Sequence, residues 1–600
     1  MIQRSGKNWF RVAAVTAVFA IGAAACGGSS SSDTDDTAVS SGDEANSTDN
    51  SDDSSGDASD SANDAADNGE DAGQDALPTP DDVDEVAAEL PIQRGGSITY
   101  ALESETAAGW DLSRTACPRA CLQVAQTIFD PLITVDADGE FAGFLLESFE
   151  FDSERSVWVL EVRPGIEFQN GEELNAEAVA LHLRTLLEPE SISALALEYV
   201  ESVTAVDELT VEVFVPPGEN GEPAPAAGFP GQLAGQAGLV RAPAMIADAE
   251  AQLNPIGTGP FALAEWLPND HTTVVRNEAY WLDGEDGQSL PYLDEVTFRP
   301  LPEGRAEAVL SGTIDMMHSA DISDLEKFVE NDGFNLEASD TFAEPSYLMI
   351  NQDSPPLDDI RIRRALALCL DGQTIIDVRS AGIPTLANGP YAPGSIGYLA
   401  ETGFPDFDPE AGMALIEEWE AENGELRPIR YGTIAGNSAS ITAQLQSKMW
   451  NDCGIEIDFR QLEFGEHVES GQLGDFDMLA WRFGGGPDPS SMYQFWHSSQ
   501  AQPVGESSVN FNRIRDDVID ENLDRMRSAS DPDEFREAAE AVSLRFGEQV
   551  YNLWTSWTVW GIGYDDNIHQ VTILSLPGGG FALPLSSGNH FLTEAWVDAG

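Results

Sequence analysis

Short stretches of the chain alternate between apolar and polar residues, which is the pattern of β-strands that bury one face. These stretches lie at residues 97–102, 158–162 and 209–215. In the last of them every second residue is Leu or Val, so one face of the predicted strand is wholly apolar. The chain is therefore expected to contain several strands, each needing a partner for its apolar face.

Apolar residues recur at helical spacing between these strands. One helix is predicted to begin at Asn175, because asparagine is a favourable N-terminal cap. A second helix, with Ile441, Leu445 and Met449 on one side, is predicted to pass directly into a strand. Helices that lead into strands in this way indicate a mixed α/β protein with an open sheet.

The first 25 residues predict export from the cytoplasm. Three basic residues and no acidic residue precede or begin an apolar run over residues 12–25, which suits a signal peptide but is short for a membrane span. The three alanines before Cys26 resemble a bacterial lipobox, so we expect cleavage before Cys26 and lipid attachment to it. An ordinary secretory signal with an incidental cysteine is the alternative.

Residues 26–91 are predicted to form a disordered acidic tether. The stretch 27–90 contains 20 Asp and Glu residues and no Lys or Arg. Such a segment cannot bury a core, and its like charges repel one another. It would hold the following domain, residues 92–600, near a membrane that the protein touches only through its lipid anchor.

Composition and motifs exclude several functions. A formal net charge of −76 makes nucleic acid and anionic membrane surfaces poor partners. The sequence contains no Gly-x-Ser-x-Gly elbow, no His-Glu-x-x-His pair and no phosphate-binding loop with its lysine. The obvious hydrolase classes therefore lose support, and the seven histidines show no paired spacing typical of a metal site. The length after the tether predicts two or more lobes.

Four cysteines remain if Cys26 is lipidated, and an even number in an exported protein indicates disulfides. Three pairings are possible. We predict that Cys117 pairs with Cys121, which leaves Cys369 to pair with Cys453. Four buried free thiols are the alternative.

Several stretches resemble, in the same order, signature blocks of the family 5 extracellular solute-binding proteins, the oligopeptide, dipeptide and nickel receptors of ABC importers. The clearest block is residues 254–266, followed by residues 275–281. Further blocks lie at residues 158–171, 351–371, 407–410, 449–455 and 474–481. The resemblance is specific because the blocks are collinear.

The resemblance implies an α/β fold of the periplasmic-binding-protein-like type II class, in which two hinged lobes and an extra domain surround a ligand cleft. Lobe I would take residues 92–130, 251–345 and 556–600. The extra domain would take residues 131–250, and lobe II would take residues 346–555.

The resemblance also implies a binding function without catalysis, so we expect a protein that is not an enzyme and that uses no cofactor or metal. The protein would be a monomeric, lipid-anchored receptor outside the cytoplasmic membrane, which captures a peptide or a similar small polar solute and delivers it to an ABC permease with its ATPase subunits. The alternatives are a secreted lipoprotein hydrolase and a sensory or surface module that uses the same fold without transport.

The stretch 481–489 is expected to form one wall of the cleft. In peptide receptors of the family an aspartate in this block holds the peptide amino group, whereas Gly484 or Gly485 stands at that position here. Glycines would let the backbone approach a ligand closely. The expected ligand-binding residues are Trp481, Arg482, Phe483, Gly485, Asp488, Tyr347, Trp554 and Trp557. Core packing is the alternative for each aromatic residue.

We predict that Cys26 anchors the protein to the membrane. Cys26→Ser removes the thiol that would carry the lipid and leaves the apolar run unchanged. On cell fractionation the wild type should stay with the membrane, as should the matched variant Ser29→Ala, while Cys26→Ser should be released. Equal membrane retention of all three proteins would show that Cys26 is not the anchor.

Overall fold

The computed structural model describes residues 91–600, apart from residues 107, 108, 116, 195, 219, 220, 222, 224, 249, 330, 332, 381, 382, 483, 530, 531, 599 and 600. The predicted signal peptide, residues 26–90 of the predicted tether with Cys26, and Phe483 lie outside the described residues. The described residues belong to one unit of the chain. Within that part of the protein, no helix is both long and apolar enough to cross a membrane.

Strands and helices follow one another along the described chain. The strands are β1 Ser97–Leu102, β2 Ile133–Val135, β3 Phe141–Gly143, β4 Leu146–Asp152, β5 Val157–Val162, β6 Ser202–Ala205, β7 Thr210–Phe214, β8 Phe261–Leu267, β9 His271–Arg276, β10 Glu295–Pro300, β11 Met316–Ser319, β12 Phe334–Ser339, β13 Pro345–Ile350, β14 Ile429–Ile434, β15 Ile457–Leu462, β16 Met478–Arg482, β17 Asn552–Trp557, β18 Trp560–Asp565, β19 Ile568–His569 and β20 Trp596–Val597. The helices are α1 Arg119–Ile128, α2 Ala176–Leu186, α3 Phe229–Ala234, α4 Pro243–Ile246, α5 Arg305–Leu310, α6 Ile322–Val329, α7 Ile360–Leu368, α8 Gly372–Ser380, α9 Pro409–Asn423, α10 Asn437–Asp452, α11 Phe464–Leu473, α12 Tyr493–Trp496, α13 Asp517–Ser528 and α14 Pro532–Gln549.

The local sequence explains where several elements begin. The Asn175 side chain accepts a hydrogen bond from the backbone N–H of Ala178, which caps α2 as predicted. In β7, Val211 and Val213 are buried on one face, as their alternation predicts. Both predictions are therefore confirmed.

The predicted helix with Ile441, Leu445 and Met449 on one side is present as α10, and Leu445 and Met449 pack against a core cluster. Ala443, Gln446 and Trp450 are the buried residues, whereas the Ile441 residue is 51% exposed. The wide indole of Trp450 lies in a core cluster and donates a hydrogen bond to the carbonyl of Leu366. Its apolar area is larger than that of Ile441, so the prediction failed for Ile441 alone.

The first large sheet has seven strands in the order β12-β18-β11-β1-β10-β9-β8. Strand β1 runs parallel to both of its neighbours, and the other pairs are antiparallel. Tyr100 in β1 is fully buried at the centre of this sheet. Strand β18 lies between β11 and β12, so this sheet contains both the first strand of the described chain and a strand from near its end.

The second large sheet has five strands in the order β15-β14-β16-β13-β17. Strand β14 is parallel to β15 and β16, while β13 is antiparallel to β16 and β17. Helix α10 connects β14 to β15, and α11 connects β15 to β16. These are the helical crossovers that parallel strands require.

A four-stranded sheet, β4-β5-β7-β6, lies between the parts of the chain that build the seven-stranded sheet. All of its pairs are antiparallel, and α2 packs against β6 and β7. It lies within residues 131–250, the predicted extra domain. The domain boundaries themselves stay a prediction.

Two neighbouring segments of the chain connect one large sheet to the other. Strand β12 leaves the seven-stranded sheet and continues through residues 340–344 into β13 of the five-stranded sheet. Strand β17 returns through residues 558–559 into β18. Because β12 pairs with β18 and β13 pairs with β17, the two crossings lie side by side. This double crossover is the shortest covalent connection between the sheets.

The signature block 254–266 fastens α1 to the first large sheet. A Cβ atom on Gly257 would lie 2.2 Å from the carbonyl oxygen of Ile128, and one on Gly259 would lie 2.5 Å from the Ile128 carbonyl carbon. The backbone N–H of Gly259 also donates to the Ile128 carbonyl, at 2.9 Å. Only glycine permits this approach of two backbones.

Asp130 holds the same junction from within the core. Its carboxylate accepts hydrogen bonds from Thr258 Oγ1 at 3.0 Å, Tyr280 Oη at 3.1 Å and Trp281 Nε1 at 3.0 Å. Burial raises the pKa of Asp130 to about 6, although these hydrogen bonds favour the charged form. The blocks 254–266 and 275–281 are therefore joined through one buried carboxylate.

Two disulfides lie at helix ends. One joins Cys117 to Cys121 at the start of α1, with 5.2 Å between the Cα atoms. The other joins Cys369 to Cys453, with 6.3 Å between the Cα atoms, and ties the end of α7 to the end of α10. The second bridge spans 84 positions of the sequence and the first spans only 4.

We predict that the long-range bridge matters more for stability. Closing its loop should lower the entropy of the unfolded chain enough to contribute about 4 kcal/mol, against about 2 kcal/mol for the short bridge. Urea unfolding should therefore show a larger loss for Cys369→Ser/Cys453→Ser than for Cys117→Ser/Cys121→Ser. A larger loss for the second variant would contradict this ranking, and four alkylatable thiols in the native wild type would contradict both bridges.

Candidate ligand-binding site at the crossover between the sheets

Glu344 lies in the first crossover, directly before β13, and its carboxylate is held between two arginines. Oε1 accepts hydrogen bonds from Arg119 Nε at 2.9 Å and Arg119 Nη2 at 2.7 Å. On the other side, Arg482 Nε lies 3.2 Å from Oε2. The Glu344 side chain is only 8% exposed, so the arginines supply the charge compensation that water would otherwise give.

The strand register explains why these residues meet. Arg482 is the last residue of β16 and stands opposite Ser346 of β13, two positions after Glu344. Arg119 is the first residue of α1 and lies between the bridged cysteines Cys117 and Cys121. One arginine therefore comes from the five-stranded sheet, and the other from a helix that packs against β8 of the seven-stranded sheet.

Arg482 extends from its own sheet onto the other one. Its guanidinium carbon lies 4.9 Å from the ring centre of Trp560 in β18, a cation–π contact. Its Nη2 atom lies 3.8 Å from Glu103, which follows β1. The side chain is 34% exposed and makes no hydrogen bond to any residue that the structure describes. Arg482 thus keeps unused N–H donors at this junction.

A buried histidine positions Glu103. His318 accepts a hydrogen bond at Nε2 from the Glu103 backbone N–H, at 3.1 Å, and packs 5.3 Å from Trp560. Burial lowers the pKa of His318 to about 3, so the ring is neutral at physiological pH. Because His318 must accept at Nε2, its proton lies on Nδ1.

The three glycines at positions 484–486 contact the crossover segment. Gly484, Gly485 and Gly486 have backbone φ values of +103°, +84° and +104°, which residues other than glycine rarely adopt. A Cβ atom on Gly485 would lie 3.0 Å from both Glu344 Cγ and the carbonyl oxygen of Phe342. The close approach that the glycines permit is therefore to the crossover segment itself.

The expected aromatic ligand residues pack inside the part of the chain that builds the five-stranded sheet. Trp481 stacks on His467, with 5.0 Å between ring centres, and its edge meets Phe511. A core cluster includes the other three, which are at most 7% exposed: Tyr347, Trp554 and Trp557. Burial, and to a smaller extent the charge of Glu344, raises the pKa of Tyr347, so this ring lies within electrostatic reach of the junction. The role of the four rings toward a ligand stays a prediction.

Asp488 is also occupied within the protein. Its carboxylate accepts a hydrogen bond from the Ser490 backbone N–H at 2.7 Å, and a Cβ atom on Gly231 would lie 3.2 Å from it. Burial raises its pKa above the usual range. Of the expected ligand residues that the structure describes, Arg482 and Gly485 lie at the crossover, whereas Asp488 holds a loop. Phe483 lies outside the described residues.

The sequence reasoning missed Arg119, Glu344 and Glu103. Two of them lie beside a predicted feature, since Arg119 is between two paired cysteines and Glu103 follows a predicted strand. No spacing rule connects them, because they meet only through the sheet register and the crossover. Within the described ranges, no group of three or more His, Cys, Asp or Glu residues is placed to hold a metal ion.

Fold and site together define an α/β protein with two connected sheets and a charged junction between them. The sequence profile of the bacterial extracellular solute-binding proteins, family 5 (middle region), matches residues 140–503. The chain belongs to this family. The resemblance predicted from the sequence is thereby confirmed.

Relatives by sequence are named as binding proteins. The glutathione-binding protein GsiB of Pectobacterium atrosepticum is 25% identical over 351 residues, which is 58% of this chain and 65% of the relative. GsiB of Escherichia coli K12 is 26% identical over 353 residues, or 58% of this chain and 66% of the relative. The chain thus spans just under two thirds of the length of these relatives.

Solved structures share the fold at low sequence identity. The oligopeptide-binding protein AppA of Bacillus subtilis, in complex with a nonapeptide, has a TM-score of 0.70 at 17% identity and covers 85% of this chain and 100% of its own. DppA of Helicobacter pylori, in complex with the peptide STSA, has a TM-score of 0.71 at 17% identity, with coverages of 84% and 99%. NikA of Brucella suis, in complex with Fe(III)-EDTA, has a TM-score of 0.71 at 19% identity, with coverages of 84% and 100%. The α/β type II periplasmic-binding-protein fold is confirmed.

We predict that Glu344 stabilises the junction more than Arg482 does. Glu344→Gln leaves two arginines facing each other without a carboxylate and should cost about 3 kcal/mol in the free energy of unfolding. Arg482→Gln leaves the pair of Glu344 with Arg119 and should cost at most about 1 kcal/mol.

Urea unfolding at one pH measures both changes. As a control, Asp452→Asn breaks an exposed pair with Lys448 and should change stability by only a few tenths of a kcal/mol. The ranking is wrong if Glu344→Gln is no more destabilising than Asp452→Asn.

Proposed function

We propose that the protein is the membrane-anchored, substrate-binding component of an ABC importer, which captures a peptide or a similar small polar solute in a cleft between two lobes. Lobe I would comprise residues 92–130, 251–345 and 556–600, the extra domain residues 131–250, and lobe II residues 346–555. Membership of the family and the binding-protein names of its relatives support this proposal.

The observation that carries the proposal is the position of Glu344 between arginines of the two proposed lobes. Arg119 belongs to proposed lobe I, Arg482 belongs to proposed lobe II, and Glu344 lies in the crossover between them. A change in the angle between the lobes would alter these ion-pair distances. A hinge that carries this ion-pair cluster would couple solute binding to closure.

The charged groups at the junction suit a solute that carries both charges. Arg482 has unused N–H donors for a carboxylate, and Glu103 is an acceptor for an ammonium group. Both side chains are partly exposed, so a solute can reach them before closure excludes water. A peptide with free termini has this combination of groups. Glu103 would then take the role of the aspartate that holds the peptide amino group in peptide receptors of the family, since Gly484 or Gly485 stands at that position here.

Other parts of the proposal extend the sequence analysis. The wall formed by residues 481–489 would include Trp481, Gly485 and Asp488, which reach a solute only if the cleft opens. Lipidation of Cys26 would tether the receptor outside the cytoplasmic membrane. As a monomer it would then pass its solute to a permease with ATPase subunits.

We predict that the protein recognises the terminal carboxylate of a short peptide through Arg482. Calorimetry should show tighter binding of trialanine than of trialanine amide, by about tenfold to a hundredfold, since a hydrogen bond to a charged group contributes about 1.5–3 kcal/mol. Arg482→Gln should remove this preference. Arg460→Gln changes an exposed arginine on the edge strand β15 and should retain it.

Two results would count against the function as proposed. If neither trialanine nor glutathione binds the wild type at millimolar concentration, the peptide class is wrong. If trialanine binds and Arg482→Gln keeps the preference for the free carboxylate, the junction is not the binding site.

A further inference from the structure

The proposed extra domain touches the proposed lobe II at a place other than the crossover. Helix α3 and the residue before it, Gly228, lie on one side, and residues 488–493 with helix α13 lie on the other. Between these two parts the chain passes only through the proposed lobe I, so the contact has no covalent connection. The apolar residues of the two sides belong to separate core clusters, with Phe229 in one and Met492 in the other.

Gly228 allows a very close approach in this contact. A Cβ atom on Gly228 would lie 2.0 Å from both Cβ and Oγ of Ser490, and the next nearest atom, a carboxylate oxygen of Asp488, would be 3.5 Å away. The backbone of Gly228 has φ −78° and ψ 3°, which other residues also adopt. Glycine is therefore required here by the neighbour across the contact and not by the local backbone.

Arg527 of α13 binds both sides of the contact. Its guanidinium carbon lies 5.1 Å from the ring centre of Tyr199 in the proposed extra domain and 4.6 Å from that of Tyr493 in the proposed lobe II. Arg527 also forms an ion pair with Glu198 at 3.2 Å, and the Glu198 side chain is 47% exposed. Cation–π contacts and partly exposed ion pairs each contribute little, so they hold two surfaces together only weakly.

The contact is not packed like a protein core. Two open spaces, of about 30 Å³ and about 160 Å³, border Arg527, and Tyr199 and Ala226 line both of them. Protein cores contain few voids larger than a water molecule, whereas interfaces between separate bodies commonly hold water. The contact therefore has the character of an interface between two bodies.

We infer that this contact is a latch, which holds the proposed extra domain against the proposed lobe II in the closed receptor and separates when the cleft opens. Gly228 lets the two surfaces meet, and Arg527 binds them together. A weak contact without a covalent connection is suited to repeated opening. The inference rests on the proposed function, because closure over a solute is the event that the latch would stabilise.

Gly228 offers a substitution that tests the latch and can be reversed. Gly228→Ala should push the two surfaces apart. Gly228→Ala/Ser490→Gly should restore the contact, because the second change removes both atoms that the new methyl group would meet. Gly235→Ala at the C-terminal cap of α3 is the matched control, since its Cβ atom would lie 3.7 Å from its nearest neighbours.

Hydrogen–deuterium exchange without any solute measures the opening of the latch. In Gly228→Ala, exchange should be about threefold faster or more at residues 488–493, because the contact is open for more of the time. Exchange should also be faster at residues 340–344, since the ion pairs of the crossover change when the lobes separate. The double variant and Gly235→Ala should exchange like the wild type at both places.

Calorimetry with peptides tests the link between the latch and binding. Gly228→Ala should bind trialanine and trialanine amide more weakly by the same factor, about threefold to tenfold, because a smaller fraction of the protein is closed. The preference for the free carboxylate, which is assigned to Arg482, should be unchanged. Arg527→Gln should weaken both peptides in the same way.

Three results would overturn the latch. Exchange in Gly228→Ala that matches Gly235→Ala would show that the contact does not open, and faster exchange at residues 488–493 alone would show a local packing contact. Peptide affinities equal to those of the wild type would separate the contact from closure. The exchange results need no solute, so they decide the latch even where neither peptide binds and the proposed function fails.

Thermal unfolding checks that each variant is folded. If Gly228→Ala prevents folding, Arg527→Gln gives the same exchange comparison. Its matched control is Arg525→Gln, because Arg525 lies on the same helix and donates a hydrogen bond to Asn522 within that helix.

Discussion

The buried carboxylate of Glu344 is the interaction on which the junction of the two sheets depends. A buried charge costs several kcal/mol unless opposite charges and hydrogen bonds replace water. Here the replacement comes from Arg119 and Arg482, which belong to different parts of the fold. The charge of Glu344 is therefore compensated only while the two sheets keep their relative position. A solute that enters the junction competes for donors that also hold the sheets together.

Local features of the fold followed from the sequence because they depend on neighbouring residues. Asn175 caps its helix through a contact three residues away, and the alternation in β7 needs only the period of a strand. Leu445 and Met449 of α10 pack against the core, but the exposure of Ile441 and the burial of Trp450 did not follow from the sequence, since both residues fit a helical pattern. Which one is buried depends on a distant partner, the Leu366 carbonyl that accepts from the indole. Periodicity alone contains no information about that partner.

The site was only partly predictable for a related reason. The sequence resemblance led to Arg482 and Gly485, which lie at the crossover, and to aromatic residues that lie in a core. Large rings bury the most area wherever they are, so an aromatic in a family block is a weak sign of ligand contact. Glu344 and Arg119 became visible only when the register placed Ser346 opposite Arg482. The signature block 254–266 holds α1 in place through the close contacts of Gly257 and Gly259 with Ile128 and through the hydrogen bond from Thr258 to Asp130, so its recognisable sequence has a structural reason.

The electrostatics of the whole chain constrain which solutes can reach the junction. With a net charge of −76, the protein repels anions at long range, yet the junction offers arginines to a carboxylate. At physiological salt such repulsion is screened beyond about 8 Å, whereas contacts inside a closed cleft are screened much less. A zwitterionic or neutral solute avoids the long-range cost and still gains the short-range contact. A strongly anionic solute would meet that repulsion before it reached the short-range contact, so the proposed site at this junction would favour solutes whose charges balance.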